Sequence, residues 1–599
     1  MAGPELWAGQ AVRRSGQVAF LVFVVAVGVS LLFAQRLRRS DPVVLGAKRT
    51  VAFSPVGSGP RAAAVSFYLK RGDTVAVSIV DSRGDLVRKI ANGRDVPARK
   101  RVRFVWFGTG ADGRRAEDGS YRFRVGLTRQ GRSVTIPYSV QLDTAPAQPR
   151  VVRVIPGHPP GPFLLPAARS PIGIIGGTLG RDVSGLVIRT DIVPAKVVER
   201  RLLPHVARKF PWDGLVDGQP AADGVYMLGI IETDQAGNKG SFPPRLEPIP
   251  GPVRGRPGVT VRRLGVSPPA LPAKAGSLVT VSVDPRGKKY DWALRNLSDG
   301  PPLARGSTRA ARLRVRIPAR THGLLKLAVV GNGRRAEVPV AVIGHRAPTL
   351  VVLPAIRWQG VARVDQSGDG LPDMLTRGGS VHLDRVLPPI SGGLAGLQSD
   401  VVPLLGRLSQ SKTPTVITTD IALATGRGPR LSAFRGVILA GEESWLPSRT
   451  LEALRGWVKR GGHLLNLGND SLRRTVEIRG TVASNPSPAR KADAFGAVLG
   501  RPVSDPSELL VWRDSLGLFS QTGGLLIAPP GSIASLTVEA PGKLRSAAGA
   551  KQGDPASAAW RFGRGLVIRP GIEHLARLAG NDAQALGLIN EAIRLTAGR

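Results

Sequence analysis

Cysteine is absent from this 599-residue chain. That single absence removes disulfides, thiolate nucleophiles, iron–sulfur clusters and zinc–thiolate sites together, and leaves stability to packing alone. Histidines number only 7 and are scattered, so they suggest no zinc site. Acidic residues are scarce beside basic ones, 43 against 84, giving a formal charge of +41. The positive residues are spread along the chain in no compact zinc-finger, helix-turn-helix or aromatic single-strand-binding pattern. Their excess therefore points to anionic cell-envelope polymers or lipid as partners, and away from specific nucleic-acid binding.

Long hydrophobic runs are also lacking, with one exception. Val18–Ala34 is uncharged and bracketed by Arg13, Arg14, Arg36, Arg38 and Arg39. It lies at the short end of what crosses a bilayer, with arginines placed to snorkel at both ends. A cleaved signal peptide is the rival, but Leu32-Phe33-Ala34 is a poor cleavage site. The expectation is an uncleaved signal-anchor: a single-pass transmembrane helix in the cell membrane, membrane lipid as partner, and a large extracytoplasmic C-terminal region. The arginine flanks are balanced, so orientation rests on the β-rich character of the chain beyond residue 50.

What is present is glycine, 74 residues, and proline, 50, within a chain that is 42% hydrophobic. This combination fits several domains of short strands and many turns. The expected fold class is multidomain β plus α/β. Residues 1–49 would form the tail, anchor and basic stem, and 50–147, 163–250 and 259–345 three β-sandwiches. Residues 348–599 would form an α/β domain.

Two sandwiches share a signature. Trp106-Phe107-Gly108 precedes Asp118-Gly119-Ser120-Tyr121, and Trp212-Asp213-Gly214 precedes Asp223-Gly224-Val225-Tyr226. A Trp-to-Tyr spacing of such regularity reads as an internal repeat in which Trp106, Tyr121, Trp212 and Tyr226 fill cores and the Asp-Gly pairs supply turns. The pattern resembles the immunoglobulin-like FlgD-type repeat of hook-capping and surface proteins, which implies fold and little about activity. The third sandwich rests on alternation alone, as in Leu278–Val283 and Leu313–Ile317.

From Pro348 the character changes. Leu350–Leu353 is an unbroken apolar run fitting a buried parallel strand, with further strands expected at Thr415–Thr418, Gly436–Ala440 and His463–Leu467 and a helix over Ser448–Lys459. Gly441-Glu442-Glu443-Ser444-Trp445 falls at a strand's carboxyl end, where open parallel sheets bind ligands. Arg435–Asp470 resembles the glutamine-amidotransferase-like domain of the N,N-dimethylformamidase large subunit, with Glu443, Trp445, Gly461, Gly462, Gly468 and Asn469 at matching positions and Trp358 after the opening strand. In catalytic members tyrosine and glutamate oxygens hold iron. Here Ser444 stands at the tyrosine position and the family histidine is missing, so the resemblance implies the fold but withholds support from iron.

Candidate hydrolytic residues are Glu442, Glu443, Asp420, His463 and Asp470; the alternative is that such acids cap helices. His382-Leu383-Asp384-Arg385 forms another polar cluster. Asp365, Ser367, Asp369 and Asp373 follow the oxygen spacing of a calcium loop, although Thr376 replaces its closing glutamate; the alternative is a turn satisfied by its own backbone. No organic cofactor is expected. These features together give a membrane-anchored binding or structural protein of a bacterial-type envelope with an inactive amidase-like domain. The alternative is an envelope hydrolase acting on an amide C–N bond, metal-dependent in one form, with Glu443 as acid/base or metal ligand.

Overall fold

A computed structural model describes residues 20–30, 43–155, 171–176, 180–204, 208–297, 300–389, 393–502, 507–529, 531–539, 543–550 and 555–598. Among these residues no helix is long and apolar enough to cross a membrane. This finding overturns the single-pass transmembrane anchor expected at Val18–Ala34. The expectations built on it fall with it: the lipid partner, the cell-membrane location and the membrane-anchored envelope function, whether binding or hydrolytic. Residues 18, 19 and 31–34 of that segment lie outside the described ones.

The described chain is a multidomain β and α/β protein with mixed sheets, falling into two compact units, one carried mainly by residues up to Gln148 and the other by most of the chain from Pro149. In the first unit a three-stranded sheet (Val44–Arg49, Ala63–Leu69, Val102–Trp106) faces a five-stranded one containing Asp73–Val80, Leu86–Val96, Gly119–Leu127 and Arg132–Leu142. Alternation of buried and half-buried residues along Ala63–Leu69 and Asp73–Ile79 places every second side chain in one core. Phe53, Phe67, Trp106 and Phe123 form the centre of that core.

Two more β-sandwiches follow along the chain. Arg150–Ile155, Ile172–Gly176 and Lys209–Pro211 form one sheet of the first, and Asp182–Arg189, Lys196–Leu203, Gly224–Thr233 and Lys239–Phe242 the other. Gly258–Val261 adds to Gly224–Thr233. The next sandwich sets Leu278–Asp284 and Arg312–Arg316 against a sheet built on Tyr290–Asn296, Gly323–Gly331 and Arg334–Ile343.

The chain ends in a nine-stranded mixed sheet. Its parallel half has the spatial order Thr415–Thr419, Thr349–Leu353, Gly436–Leu439, His463–Asn466 and Gly565–Arg569. Ser557–Phe562, Leu544–Gly549, Ser507–Asp514 and Leu525–Ala528 then extend it antiparallel. Helices Val402–Gln410, Ser448–Lys459 and Ala583–Thr596 cover its faces. Every residue of Thr349–Leu353 and Gly436–Leu439 is buried, which is why these strands read as continuous apolar runs. Leu451, Leu454, Trp457 and Val458 are the buried stripe of Ser448–Lys459. The chain then turns at Gly461, φ +119°, and Gly462, where a Cβ would run into the Trp457 ring.

Candidate functional site

Thr349–Leu353 connects to a strand on one side and is followed on its other side by Gly436–Leu439, so strand order reverses between them. At such a point the following loops diverge and open a crevice at the strand carboxyl ends. Pro354, Asp420, Glu442–Ser444 and Asp470–Ser471 all follow carboxyl ends of the parallel strands, and His574 follows the last.

Glu443 is fully buried. Its amide N–H donates to Ser471 Oγ at 3.0 Å and its carbonyl accepts from Leu472 N–H at 3.0 Å. Neither carboxyl oxygen has a hydrogen-bond partner among the described residues. Loss of solvation raises its pKa well above the ordinary glutamate value, and the nearby Asp420 carboxyl adds to the shift. Burial therefore favours its neutral form.

Asp420 is equally buried but satisfied. It accepts from Ile356 N–H at 3.0 Å and Ile421 N–H at 2.7 Å, at the N-termini of helices Ala355–Gly360 and Asp420–Ala424. Burial still pushes it up to about 8, against the downward pull of these backbone donors. Thr419 Oγ1 caps the second helix by accepting from Ala422 N–H at 3.0 Å.

A polar bridge borders this pair. Arg357 Nη2 meets Glu442 at 2.9 Å, while Arg357 Nη1 donates to Ser444 Oγ at 2.7 Å and that hydroxyl to Glu442 Oε1 at 3.1 Å. Burial raises the pKa of Glu442, with the Arg357 charge opposing. Asp470 is occupied by Arg473 at 2.7 Å and by Arg474.

His574 sits at φ +57° in the left-handed region, with Nδ1 2.8 Å from Asp400 Oδ1. Asp400 also accepts from Ser399 Oγ at 2.9 Å, and a Cβ on Gly441 would lie 4.0 Å from the Asp400 Cβ. The pair thus flanks the Gly441–Ser444 segment. Sequence reasoning missed Arg357, Asp400 and His574; position after a strand's carboxyl end was the available signal for Arg357 and His574, while Asp400 lies before its helix and had none.

His463 is placed elsewhere. It opens its strand at the end opposite Glu443, and its Nδ1 lies 2.6 Å from Leu595 O, tying down the last helix. Among the other sequence candidates, Arg385 is buried and donates to the carbonyls of Gln359, Ala362, Val364 and Asp373, a structural hub; burial lowers it to about 10. His382 is exposed, and the Asp384 carbonyl accepts from Ser267 Oγ at 2.8 Å.

In the acidic loop Asp365 accepts from Gly368 and Gly370 N–H at 2.6 and 2.9 Å, Asp373 from Gln366 and Ser367 N–H at 2.5 and 2.9 Å, and Asp369 from Leu371 N–H at 2.8 Å. Desolvation pushes Asp365 up to about 7. No group of three or more His, Asp or Glu side chains that could hold a metal ion occurs among the described residues.

The Trp-to-Tyr signature has one geometry at Trp106–Tyr121 and at Trp212–Tyr226. Trp106 Nε1 donates to Thr109 O at 2.9 Å and Trp212 Nε1 to Leu215 O at 3.0 Å. Tyr121 OH donates to Glu117 O at 2.6 Å and Tyr226 OH to Ala222 O at 2.9 Å, each four residues back. Ring centroids are 4.7 Å apart in the first copy and 5.1 Å in the second. Asp213 Oδ1 accepts from Leu215 N–H at 3.1 Å across Gly214, φ +78°. A Cβ at Gly224 would sit 2.7 Å from Asp191 Oδ2, so that carboxylate would have to shift to admit one. Asp223 pairs with Arg263.

Residues 55–131 match the FlgD Ig-like domain, so one such domain is present in the chain. No curated protein matches. Solved structures with partial likeness include an exo-beta-1,4-mannosidase, Op5Man5, from Opitutaceae bacterium strain TAV5, at 13% identity over 42% of this chain and 36% of that one, TM-score 0.25. Gan42B, a GH42 beta-galactosidase from G. stearothermophilus, shares 11% over 39% and 29%, TM-score 0.24. PorZ, a surface component of the type-IX secretion system of Porphyromonas gingivalis, shares 24% over 16% and 11%, TM-score 0.12. This chain therefore spans little more than a third of the mannosidase's length. The comparisons give no support to the N,N-dimethylformamidase resemblance expected for the last domain.

Proposed function

We propose that the C-terminal α/β domain is a binding domain for a small ligand bearing a primary carboxamide, taken at the carboxyl ends of its parallel strands. The observation that supports this most is Glu443, fully buried with both carboxyl oxygens unpartnered among the described residues. A neutral carboxyl offers one O–H donor and one carbonyl acceptor, the complement of an amide's carbonyl and N–H. An amide ligand would satisfy both, whereas an unmet buried polar group costs about 1–3 kcal/mol.

The Arg357–Glu442–Ser444 bridge, partly exposed, is the element that would open to admit the ligand. Asp400 and His574 would supply a polar wall beside Gly441. The residue pattern shared with amidotransferase-like domains of the N,N-dimethylformamidase type is in keeping with an amide ligand. Trp212–Tyr226 is proposed as a second FlgD-type copy, and the sandwiches as spacers that carry the binding domain.

The test is a panel of primary carboxamides, from acetamide to benzamide, against their carboxylates and alcohols on the full chain. The expected result is a rise in the C-terminal unfolding midpoint with amides only, abolished by Glu443→Leu. Equal responses to all three ligand classes, or an amide response unchanged in Glu443→Leu, would overturn the proposal.

A further inference from the structure

A cavity of about 500 Å³ lies away from Glu443, under the loop that follows helix Asp420–Ala424. Its floor is apolar: Val352, Leu439, Leu446 and Leu454 are all buried. Its wall includes two arginines, Arg430 and Arg449, both exposed, and no acidic side chain is among the lining residues. Arg449 Nη2 donates to Ala424 O at 2.7 Å, so part of its guanidinium stays available to a ligand at the mouth. The roof turns at Gly426, φ +70°, and a Cβ on Gly428 would stand 3.1 Å from the Ala422 carbonyl carbon.

We infer that this cavity binds a free amphipathic carboxylate, a medium- or long-chain acyl anion. Its size is that of a small-molecule pocket, and its makeup divides into an apolar barrel and a cationic mouth. Guanidinium groups match a carboxylate in charge and in planar, two-pronged geometry. The apolar floor then takes the chain, and the absence of acidic lining residues disfavours a cationic head group. The site shares no named residue with the carboxamide site and stands or falls independently of it.

The experiment is calorimetric titration of the full-length protein with hexanoate, octanoate and decanoate, each below its aggregation concentration, beside decanol and decyltrimethylammonium. One saturable site is expected, with affinity rising on the order of tenfold for each added pair of methylenes. Decanol should bind at least about tenfold more weakly than decanoate once the charge-assisted bonds are lost. The double variant Arg430→Ser, Arg449→Ser should remove that preference for the anion. Ala453→Trp, at an exposed lining position, should block decanoate while thermal unfolding shows the fold retained. Binding that ignores head-group charge, or that survives Ala453→Trp in the folded protein, would overturn the inference.

Discussion

Replacing Glu443 with leucine should make the protein more stable. The wild-type carboxyl is fully buried and unpartnered among the described residues, and mutational data put the cost of such a group at about 1–3 kcal/mol. Leucine is close in size, so the exchange creates no large cavity and adds little strain. The expected gain at neutral pH is therefore about 1–3 kcal/mol. For a domain of this size each kcal/mol raises the midpoint by about 2–4 °C. The assay is thermal and urea unfolding of the full chain by tryptophan fluorescence, with the transition that reports Trp358, Trp445, Trp457 and Trp560 fitted separately, since several domains need not melt together. Glu443→Gln is the companion: it keeps the shape and removes only titration, so its advantage should grow with pH. A leucine variant less stable by about 1 kcal/mol or more would show that the carboxyl holds the fold together instead of straining it.

Asp420 and Asp365 are raised by burial to about 8 and about 7, above their unfolded values near 3.9, so the folded state holds protons that the unfolded chain releases. Their contribution is greatest below about pH 4 and declines up to about pH 7 for Asp365 and about pH 8 for Asp420, by at most about 1.4 kcal/mol per pH unit each. The urea midpoint of the C-terminal transition should accordingly fall between pH 5 and 8, with Asp420→Asn flattening the slope; a rise would contradict the assignment. Trp212→Ala should cost its sandwich about 3–5 kcal/mol and Tyr226→Phe about 1 kcal/mol, measured by denaturation, with matching losses at Trp106 and Tyr121 if the copies are equivalent. Arg569 and Asp493 form a buried pair at 3.2 Å; Arg569→Met alone should cost about 3–5 kcal/mol, and adding Asp493→Asn, which still accepts from the Phe495 and Ala497 N–H groups, should recover part of it. Because backbone donors already occupy Asp365 and Asp373, millimolar calcium is expected to leave the unfolding midpoint unchanged; an increase abolished by Asp369→Ala would make the loop a calcium site.

The β-sandwich signature was legible because its physics is local. Trp and Tyr at fixed spacing, with Asp-Gly turns between them, form a contact whose hydrogen bonds lie three or four residues apart in sequence. The parallel strands were legible for a related reason: burial on both faces leaves an unbroken apolar run such as Leu350–Leu353. Glu443 could be placed at a carboxyl end by counting from Gly436. His574 could not be paired with Asp400 from sequence, because 174 residues separate them and a fold must bring them together. His463 misled for the same reason: periodicity marks a strand, but only the sheet tells which end of it faces the crevice. The apolar run at Val18–Ala34 suggested a span from composition, but among the described residues no helix is long and apolar enough to cross a membrane.

Glu443, proposed to pair with an amide, is the residue on which the functional reading turns. Saturation-transfer NMR with benzamide on the full chain, repeated with Glu443→Leu, is the decisive measurement. Transfer to benzamide that disappears in the folded leucine variant, with none to benzoate, is the expected outcome. Equal transfer in both proteins, or none in the wild type, would rule out that role.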